Sequence, residues 1–553
     1  MSSSYKEKKI TGWWTSNGTQ PETGSNSIKE AISRVTHPVY MVDMDGHMGV
    51  GHDGIVVMGK DAPDMSEGYP LTAWSPPLHP ENLGDPVFKK RHNIRYPYIA
   101  GAMANGITST DIVEEMGCAG MAGFFGAGGL TLDKIEAAID RLEERLKDIT
   151  YGFNLIHSPN DPDHENAVVQ LYLRRGVRLV SAAAYMNLTL PIVYYRVKGI
   201  HRDTDGNIIC PNKIIAKVSR VEVARKFFSP PPEKFLGQLY ERKLITEEEA
   251  ELARHIPMAD DLTAEADSGG HTDNRPALAL LPNIIALRDE MVRQFDYKDP
   301  VCVGLGGGIA TPESTAAAFA MGAAYVLTGS VNQSCVESGT SESVRQMLAD
   351  AGQADVSMAP AADMFEMGVK VQVLKRGTLF PVRAAKLYEI YSRYNSLEEI
   401  PENETKNIEK NFFKCGLQEE WHRTKSFFQQ RDPRQIKLAE SKPKHKMALI
   451  FRSYLGRSSF WAISGDSDRK IDFQIWCGPA IGAFNEWVRG TFLEKPENRK
   501  VVTVAMNLLY GASIVTRINW LRNQGIVLPT DAGSFSPMEL SEIQKNLENK
   551  VAN

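Results

Sequence analysis

Between Glu265 and Pro276 the chain reads E-A-D-S-G-G-H-T-D-N-R-P, two glycines and then a titratable ring. Histidine is the side chain best suited to give or take a proton near neutral pH, and the glycines ahead of it let a ligand approach the backbone. Two other stretches favour an anion. Gly304-Leu305-Gly306-Gly307-Gly308-Ile309-Ala310-Thr311-Pro312 and, further on, Gly329-Ser330 bare their N–H groups just ahead of helical segments, an arrangement that receives phosphate. The first is not a dinucleotide fingerprint, because Ile309 takes the last glycine position of that motif. Ala100-Gly101-Ala102-Met103-Ala104-Asn105-Gly106 offers bare backbone on which a planar ring could lie, and Asn154 carries a donor and an acceptor together. Each also has a plainer use. The glycines suit tight turns, His271 could cap a helix, and Asn154 could anchor a loop.

The elements that must hold these residues follow a regular rhythm. Apolar runs of strand length recur at Tyr98–Ala102, Ala122–Phe125, Tyr151–Ile156, Val177–Ala182, Lys213–Val218, Leu262–Ala266, Val301–Leu305 and Ala324–Thr328. Helical segments such as Leu132–Lys147 lie between most of them. Eight strands alternating with helices predict an α/β chain built on a (β/α)8, or TIM, barrel, with a doubly wound open sheet as the other arrangement of the same pattern. In either one, ligands meet the C-terminal ends of the strands, where the glycines gather.

Residues 1–90 form an N-terminal extension. Short strands are expected at Val39–Val42 and Gly54–Met58, a polar, turn-rich segment at Thr15–Asn26, and a linker at Ser75–Pro80. The barrel is expected over 91–335, with insertions at about 192–210, a hairpin turning at Asp203–Asn207, and at about 231–257. The second reads as a helical hairpin with Leu236, Leu239 and Tyr240 facing Leu252 and Ile256. Residues 336–553 read as mostly helical, with Trp487–Phe492 and Val501–Gln524 the most periodic stretches. Arg431–Met447 is basic, through Lys437, Lys442, Lys444 and Lys446.

Composition sets limits on function. Across 553 residues, 42% are hydrophobic, 24% are charged and the formal net charge is −5, so bulk charge gives no case for nucleic acid as partner. The six cysteines stand apart with no C-x-x-C pair, a pattern of free thiols and a cytoplasmic location. Cys335 reads as a packed thiol. His47 and His52 have no cysteine or carboxylate at ligand spacing, so no metal site is expected. Met1–Lys6 has no apolar core of a signal peptide, and no run of about 18 apolar residues stands out, so no membrane insertion is expected.

Ala100-Gly101-Ala102-Met103, Gly152-Phe153-Asn154-Leu155, Ser268-Gly269-Gly270-His271 and Gly306-Gly307-Gly308-Ile309 follow the motif order of the FMN-dependent nitronate monooxygenase and enoyl reductase superfamily, which this chain resembles. The run Glu265–Pro276, the segment Met364–Gly377 and the helical C-terminus resemble one branch, the PfaD family of trans-acting enoyl reductases of polyunsaturated fatty acid and polyketide synthases. The resemblance implies FMN across the barrel mouth, its ring near Ala102 and Met103 and its ribityl chain near Asn154. It implies Lys217 at the edge of the flavin ring and phosphate at Gly307, Gly308, Gly329 and Ser330, with Gly306 also among the cofactor-binding residues. Gly269 and Gly270 would give backbone contact with the flavin edge, and His271 would be the catalytic residue. NADPH would be co-substrate, and acyl carrier protein domains the partner, with a homodimer as a candidate assembly. Nitronate monooxygenases usually carry Glu-Ala before Gly-Gly-His, whereas Asp267-Ser268 stand here, which argues against nitronate substrates.

Three functions therefore compete. The first is an NADPH-dependent enoyl reductase on carrier-bound 2-enoyl chains, with the backbone near Gly270 as donor to the enolate. A nitronate monooxygenase is the second. The third is a non-catalytic docking protein that keeps the barrel as scaffold.

Overall fold

Strands buried on both faces must be apolar throughout, and Leu179–Ala183 and Cys302–Gly306 are buried at every residue. The computed structural model describes residues 10–59, 68–157, 161–299 and 301–548. Met1–Lys6 lies outside them. Eight parallel strands close into a barrel: β1 (Tyr98–Ala100), β2 (Ala122–Phe125), β3 (Gly152–Ile156), β4 (Leu179–Ala183), β5 (Lys213–Val218), β6 (Asp261–Glu265), β7 (Cys302–Gly306) and β8 (Val326–Thr328). Each pairs with its neighbour in sequence, and β8 pairs with β1 through Leu327 and Ile99. The expected barrel is present, and the open sheet is not.

The floor of the barrel is plugged from the N-terminal side. Helix Pro86–Arg91, which spans the expected boundary at residue 90, inserts Phe88 face to face with Tyr325, with centroids 4.0 Å apart. Beside it the buried Asp261 carboxylate accepts from Arg91 at 2.5 Å, His92 Nε2 at 2.6 Å and the Cys302 amide at 3.2 Å. Upstream lies a six-stranded sheet in the order Glu22–Thr23, His47–Gly51, Val39–Met44, Tyr69–Ser75, Gly12–Thr15, Ile55–Met58. The turn-rich reading of Thr15–Asn26 is corrected in part, since it holds the Glu22–Thr23 strand and the start of helix Ser25–Ser33.

After β8 the chain makes only the short helix Ser330–Gln333 and then leaves the barrel. Helix Val501–Asn523 returns to pack along Pro312–Ala320, which follows β7, and against Thr110–Cys118, which follows β1. That is the place of the eighth barrel helix. Gly511 permits the approach: a Cβ there would lie 2.6 Å from Pro312. The helix has the length and apolarity of a membrane span, which the sequence analysis missed, yet 89% of that window is buried within the protein. Its Arg517 is fully buried and donates to the carbonyls of Ile32 and His37, capping helix Ser25–Ser33. The barrel thus extends past residue 335, and 336–500 is an excursion between its last strand and its last helix.

That excursion holds its own core, with Phe365, Phe380, Leu387, Phe413, Phe451 and Tyr454 packed together. It is not wholly helical. Val356–Pro360 and Lys370–Leu374 form an antiparallel hairpin, to which Gly270–His271 adds as a third strand. Among the insertions, His201–Arg202 pairs with Ile208–Ile209 about the expected turn, but Leu190–Val197 is helix, so the hairpin starts later than residue 192. Helices Glu233–Glu241 and Glu247–Ala253 form the helical hairpin. Leu236 and Leu239 are buried, whereas Tyr240 turns outward, half exposed.

Candidate functional site

The glycines after β7 and β8 differ from one another in what their missing side chains allow. Gly306 ends β7, and a Cβ on it would press on Thr263 at 3.1 Å. Gly307 has φ +86, and a Cβ there would meet the Ala266 carbonyl carbon at 2.7 Å, so the β6 loop demands glycine at this position. Gly308, with φ +76, faces open space. The loop ends where Thr311 and Ser314 cap helix Pro312–Ala320 reciprocally, with Pro312 at the first helical position. Because β7 pairs with β8, Gly307 and Gly308 stand beside the loop carrying Gly329 and Ser330. Among the described residues, the amides of Gly307, Gly308, Gly329 and Ser330 donate to no protein carbonyl or side chain. Adjacent loops with unpaired amides suit a phosphate group.

Next to the β8 loop, Ala102 and Met103 follow β1 in a loop folded around Thr108. Its hydroxyl accepts from the Met103 amide at 2.9 Å and donates to Gly101 O at 2.7 Å. Asn154 is buried on β3. Its Oδ1 accepts from the Gly128 amide at 3.2 Å and its Nδ2 lies 3.5 Å from Ser181 O. The loop-anchoring use of Asn154 is thus present, and a ribityl hydroxyl would have to share its amide.

At the ends of β5 and β6, Lys217 Nζ meets Glu265 Oε1 at 2.7 Å, and the Ser268 hydroxyl donates to the same oxygen at 3.1 Å. Glu265 was not singled out from the sequence. Asp267 explains the departure from Glu-Ala-Gly-Gly-His. Its Oδ1 accepts from Asn274 Nδ2 and from Gln372 Nε2, both at 2.8 Å, while Gln372 Nε2 also donates to Ser268 O at 2.8 Å. Gln372 is buried on the Lys370–Leu374 strand. The Asp267 side chain and the Ser268 carbonyl therefore fasten the β6 loop to the C-terminal hairpin, while the Ser268 hydroxyl serves Glu265.

Gly269 needs a correction. A Cβ on it would lie 2.6 Å from Cys477 Cα, and one on Gly478 would lie 3.0 Å from the Ser268 carbonyl carbon. The missing side chain makes room for the Cys477-Gly478 backbone, not for a flavin edge. Gly478 N in turn donates to Ser330 Oγ at 2.9 Å, so the same segment reaches the β8 loop. Gly270, with φ +76, pairs with Gln372, and His271 pairs with Val371. His271 is therefore in a short strand rather than at a helix start; the next helix is Ala277–Phe295. Its Nε2 lies 3.2 Å from Asp363 Oδ1 and its side chain keeps 39% exposure. Burial lowers its proton affinity, but the Asp363 hydrogen bond and the charges of Asp363 and Glu265 outweigh that and the opposing Lys217 charge, leaving the ring's pKa raised.

The basic stretch is helical over most of its length. Lys442 caps the start of helix Pro443–Ser464, and Lys444 and Lys446 lie in its first turn. Lys444 donates to Tyr394 O at 2.6 Å and sits over Tyr391, and Lys446 sits over Trp421. A histidine missed by the sequence analysis, His157, follows β3 and meets the buried Glu165 at 3.0 Å. All six cysteines are unpaired, and Cys335 is buried. Among the described residues, no group of three or more His, Cys, Asp or Glu side chains is placed to hold a metal ion.

Known proteins fit this arrangement. The nitronate monooxygenase profile matches residues 85–423, and the inserted helical domain of [acyl-carrier-protein] S-malonyltransferase matches 394–473. The chain is 44% identical over 523 residues to one of the subunits of the polyunsaturated fatty acid synthase of Thraustochytrium sp., covering 93% of this chain and 35% of the relative. It is 46% identical over 436 residues to the polyketide biosynthesis protein PksE of Bacillus subtilis, covering 79% and 56%. It thus spans about a third and just over half of those two relatives. The crystal structure of the enoyl reductase domain of MlnA, from the macrolactin biosynthesis cluster of Bacillus amyloliquefaciens, is 41% identical with a TM-score of 0.75, covering 79% of this chain and 99% of that domain.

Proposed function

Since the chain belongs to the nitronate monooxygenase family, and within it to the PfaD-like enoyl reductases, we propose that it is an FMN-dependent enoyl reductase. Its substrates would be 2-enoyl chains on the acyl carrier protein of a fatty acid or polyketide synthase, and its reductant NADPH. The observation that carries this reading is the likeness to the MlnA enoyl reductase domain along 99% of that domain.

The residues present fit the cofactor. The amides of Gly307, Gly308, Gly329 and Ser330 would hold its phosphate, Ala102 and Met103 would line its ring, and Asn154 would meet the ribityl chain. Lys217, paired with Glu265, would set a positive charge by the ring. Bound FMN supplies hydride transfer from the reduced nicotinamide to the β-carbon of the enoyl thioester. His271 gives its proton to the α-carbon. The developing enolate oxygen needs a donor, and Gly270, committed to pairing with Gln372, is poorly placed for that task.

The reading is tested by anaerobic reduction of the purified protein with NADPH, then mixing with a crotonyl-type thioester. Rapid reoxidation by thioester, with little dependence on oxygen, is expected. Turnover of nitronates with oxygen would favour monooxygenase chemistry, and a protein without flavin colour would leave a docking scaffold. The phosphate assignment has its own test at Gly308, where open space removes the steric objection that Gly307 carries. Gly308→Asn and Gly308→Asp share the strain of φ +76, which both residue types tolerate best among non-glycines. Only Asp adds a negative charge. Gly308→Asp should purify folded but nearly colourless, while Gly308→Asn keeps much of its FMN; equal retention would place the phosphate elsewhere.

The match of residues 394–473 to the helical insertion of an acyl-carrier-protein malonyltransferase supports a carrier-protein partner. On the basic face, Lys437 and Lys442 stay exposed. Lys437→Glu with Lys442→Glu should raise KM for the carrier-bound substrate, flatten its salt dependence and leave a small thioester unaffected. A salt-independent KM in the unaltered protein would exclude this face. A homodimer would be read from the mass in solution.

A further inference from the structure

The loop between the two strands of the C-terminal hairpin carries Asp363, and the second of those strands holds the His271 backbone. One hairpin thus fixes His271 twice, by its main chain opposite Val371 and by its ring at Nε2. The loop is itself held in place: Arg452, on helix Pro443–Ser464, donates to Ala362 O at 2.9 Å and to Glu366 Oε1 at 3.1 Å. We propose that Asp363 is a positioning residue, which orients the His271 imidazole through Nε2–H and leaves Nδ1 as the ring atom that exchanges a proton with the substrate.

This rests on the enoyl reductase reading for the step it serves, but the pairing itself does not. In that step the Nδ1–H bond breaks as a C–H bond forms at the α-carbon. The ring is left neutral and hydrogen-bonded to Asp363, and it regains a proton from water, to which it is exposed. The charged groups around the ring are Asp363 on the hairpin loop, Glu265 and Lys217 on the barrel strands, and Arg452 behind Asp363. Asp363 and Glu265 favour the imidazolium and Lys217 opposes it. Asp363 touches no reacting atom in this scheme; it acts through the ring.

The pairing can be read without cofactor or substrate. Diethyl pyrocarbonate modifies neutral imidazole, so its rate at His271, followed by peptide mass across pH, gives the ring's titration midpoint. Asp363→Asn keeps an acceptor oxygen and the fold but removes the charge. The midpoint should fall by about one pH unit, a tenfold loss in proton affinity, the low end for an opposite charge at this range because the pair is partly exposed. Asp363→Glu should restore part of it. In turnover, Asp363→Asn should lose on the order of tenfold in enoyl thioester reduction at pH 8, much less at pH 6, and nothing in the NADPH half-reaction. A midpoint that stays put in Asp363→Asn, or an activity loss equal at both pH values, overturns the proposal. A midpoint that moves in a protein lacking enoyl reduction keeps the pair and rejects the reading it serves.

Discussion

His271→Ala should keep its flavin, accept electrons from NADPH at near the unaltered rate, and pass them to an enoyl thioester about 10²–10⁴ times more slowly. The asymmetry follows from what each half-reaction needs. Reduction by NADPH moves a hydride and asks no proton of this side chain. Reduction of the enoyl chain must put a proton on the α-carbon, and the imidazolium is the acid that Asp363 and Glu265 favour. The ring also has 39% exposure, so water can enter the space that alanine leaves. The loss should therefore lie near the low end of the range, and added imidazole should recover part of it. Stopped-flow traces of the two half-reactions separate the outcomes. Loss of flavin would make His271 a binding or structural residue, and unchanged reoxidation would remove it from the chemistry.

What could be read from the sequence divides along physical lines. The eight barrel strands were legible because each is a short, largely buried run, wholly buried in β4 and β7, that recurs between helical segments. The eighth helix was not, because nothing local says that Val501–Asn523 returns to stand beside Pro312–Ala320. Its apolar character was also masked by Asn507, Ser513 and Arg517, whose side chains donate to carbonyls inside the protein. Glycine proved ambiguous for a simple reason: it records that a side chain is absent, not what fills the space. At Gly308 the space is open, at Gly307 it belongs to the β6 loop, and at Gly269 it belongs to Cys477. Asp363 follows no motif spacing, and Gln372, although inside the Met364–Gly377 segment that carries the resemblance, has no spacing that gives it a role. They join the site only through a hairpin that pairs far away in sequence, although the odd residues Asp267-Ser268 marked where to look.

At the opposite end of the barrel, Asp261→Ala should destabilise the protein by about 3–5 kcal/mol, the usual cost of removing one partner from a buried ion pair. The carboxylate serves Arg91, His92 and the Cys302 amide at once, and both its own side chain and that of His92 are almost wholly buried. Alanine removes this shared acceptor from all three, although Arg91 keeps the Asp260 carbonyl and Lys213 still donates to Arg91 O, so the helix plug at Phe88 loses its buried charge but not every tie to the barrel. Asp261→Asn, which keeps an oxygen without the charge, should fall between. The pH dependence has a definite sign. Burial alone would raise the Asp261 pKa, but the hydrogen bond and charge of His92 and the charge of Arg91 prevail and hold it below the ordinary value of 3.8. A group whose pKa is depressed by folding contributes stability above its unfolded pKa, about 3.9, and loses it as pH falls through the folded value. Urea midpoints for the two proteins should therefore differ by a constant amount from pH 7 to about pH 5 and converge as pH drops below about 4. The proposed flavin site lies at the other end of the strands, so the folded variant should bind FMN and turn over normally at low temperature. A variant that folds as stably as the unaltered protein would mean that stacking and the closed sheet hold the floor without the ion pair.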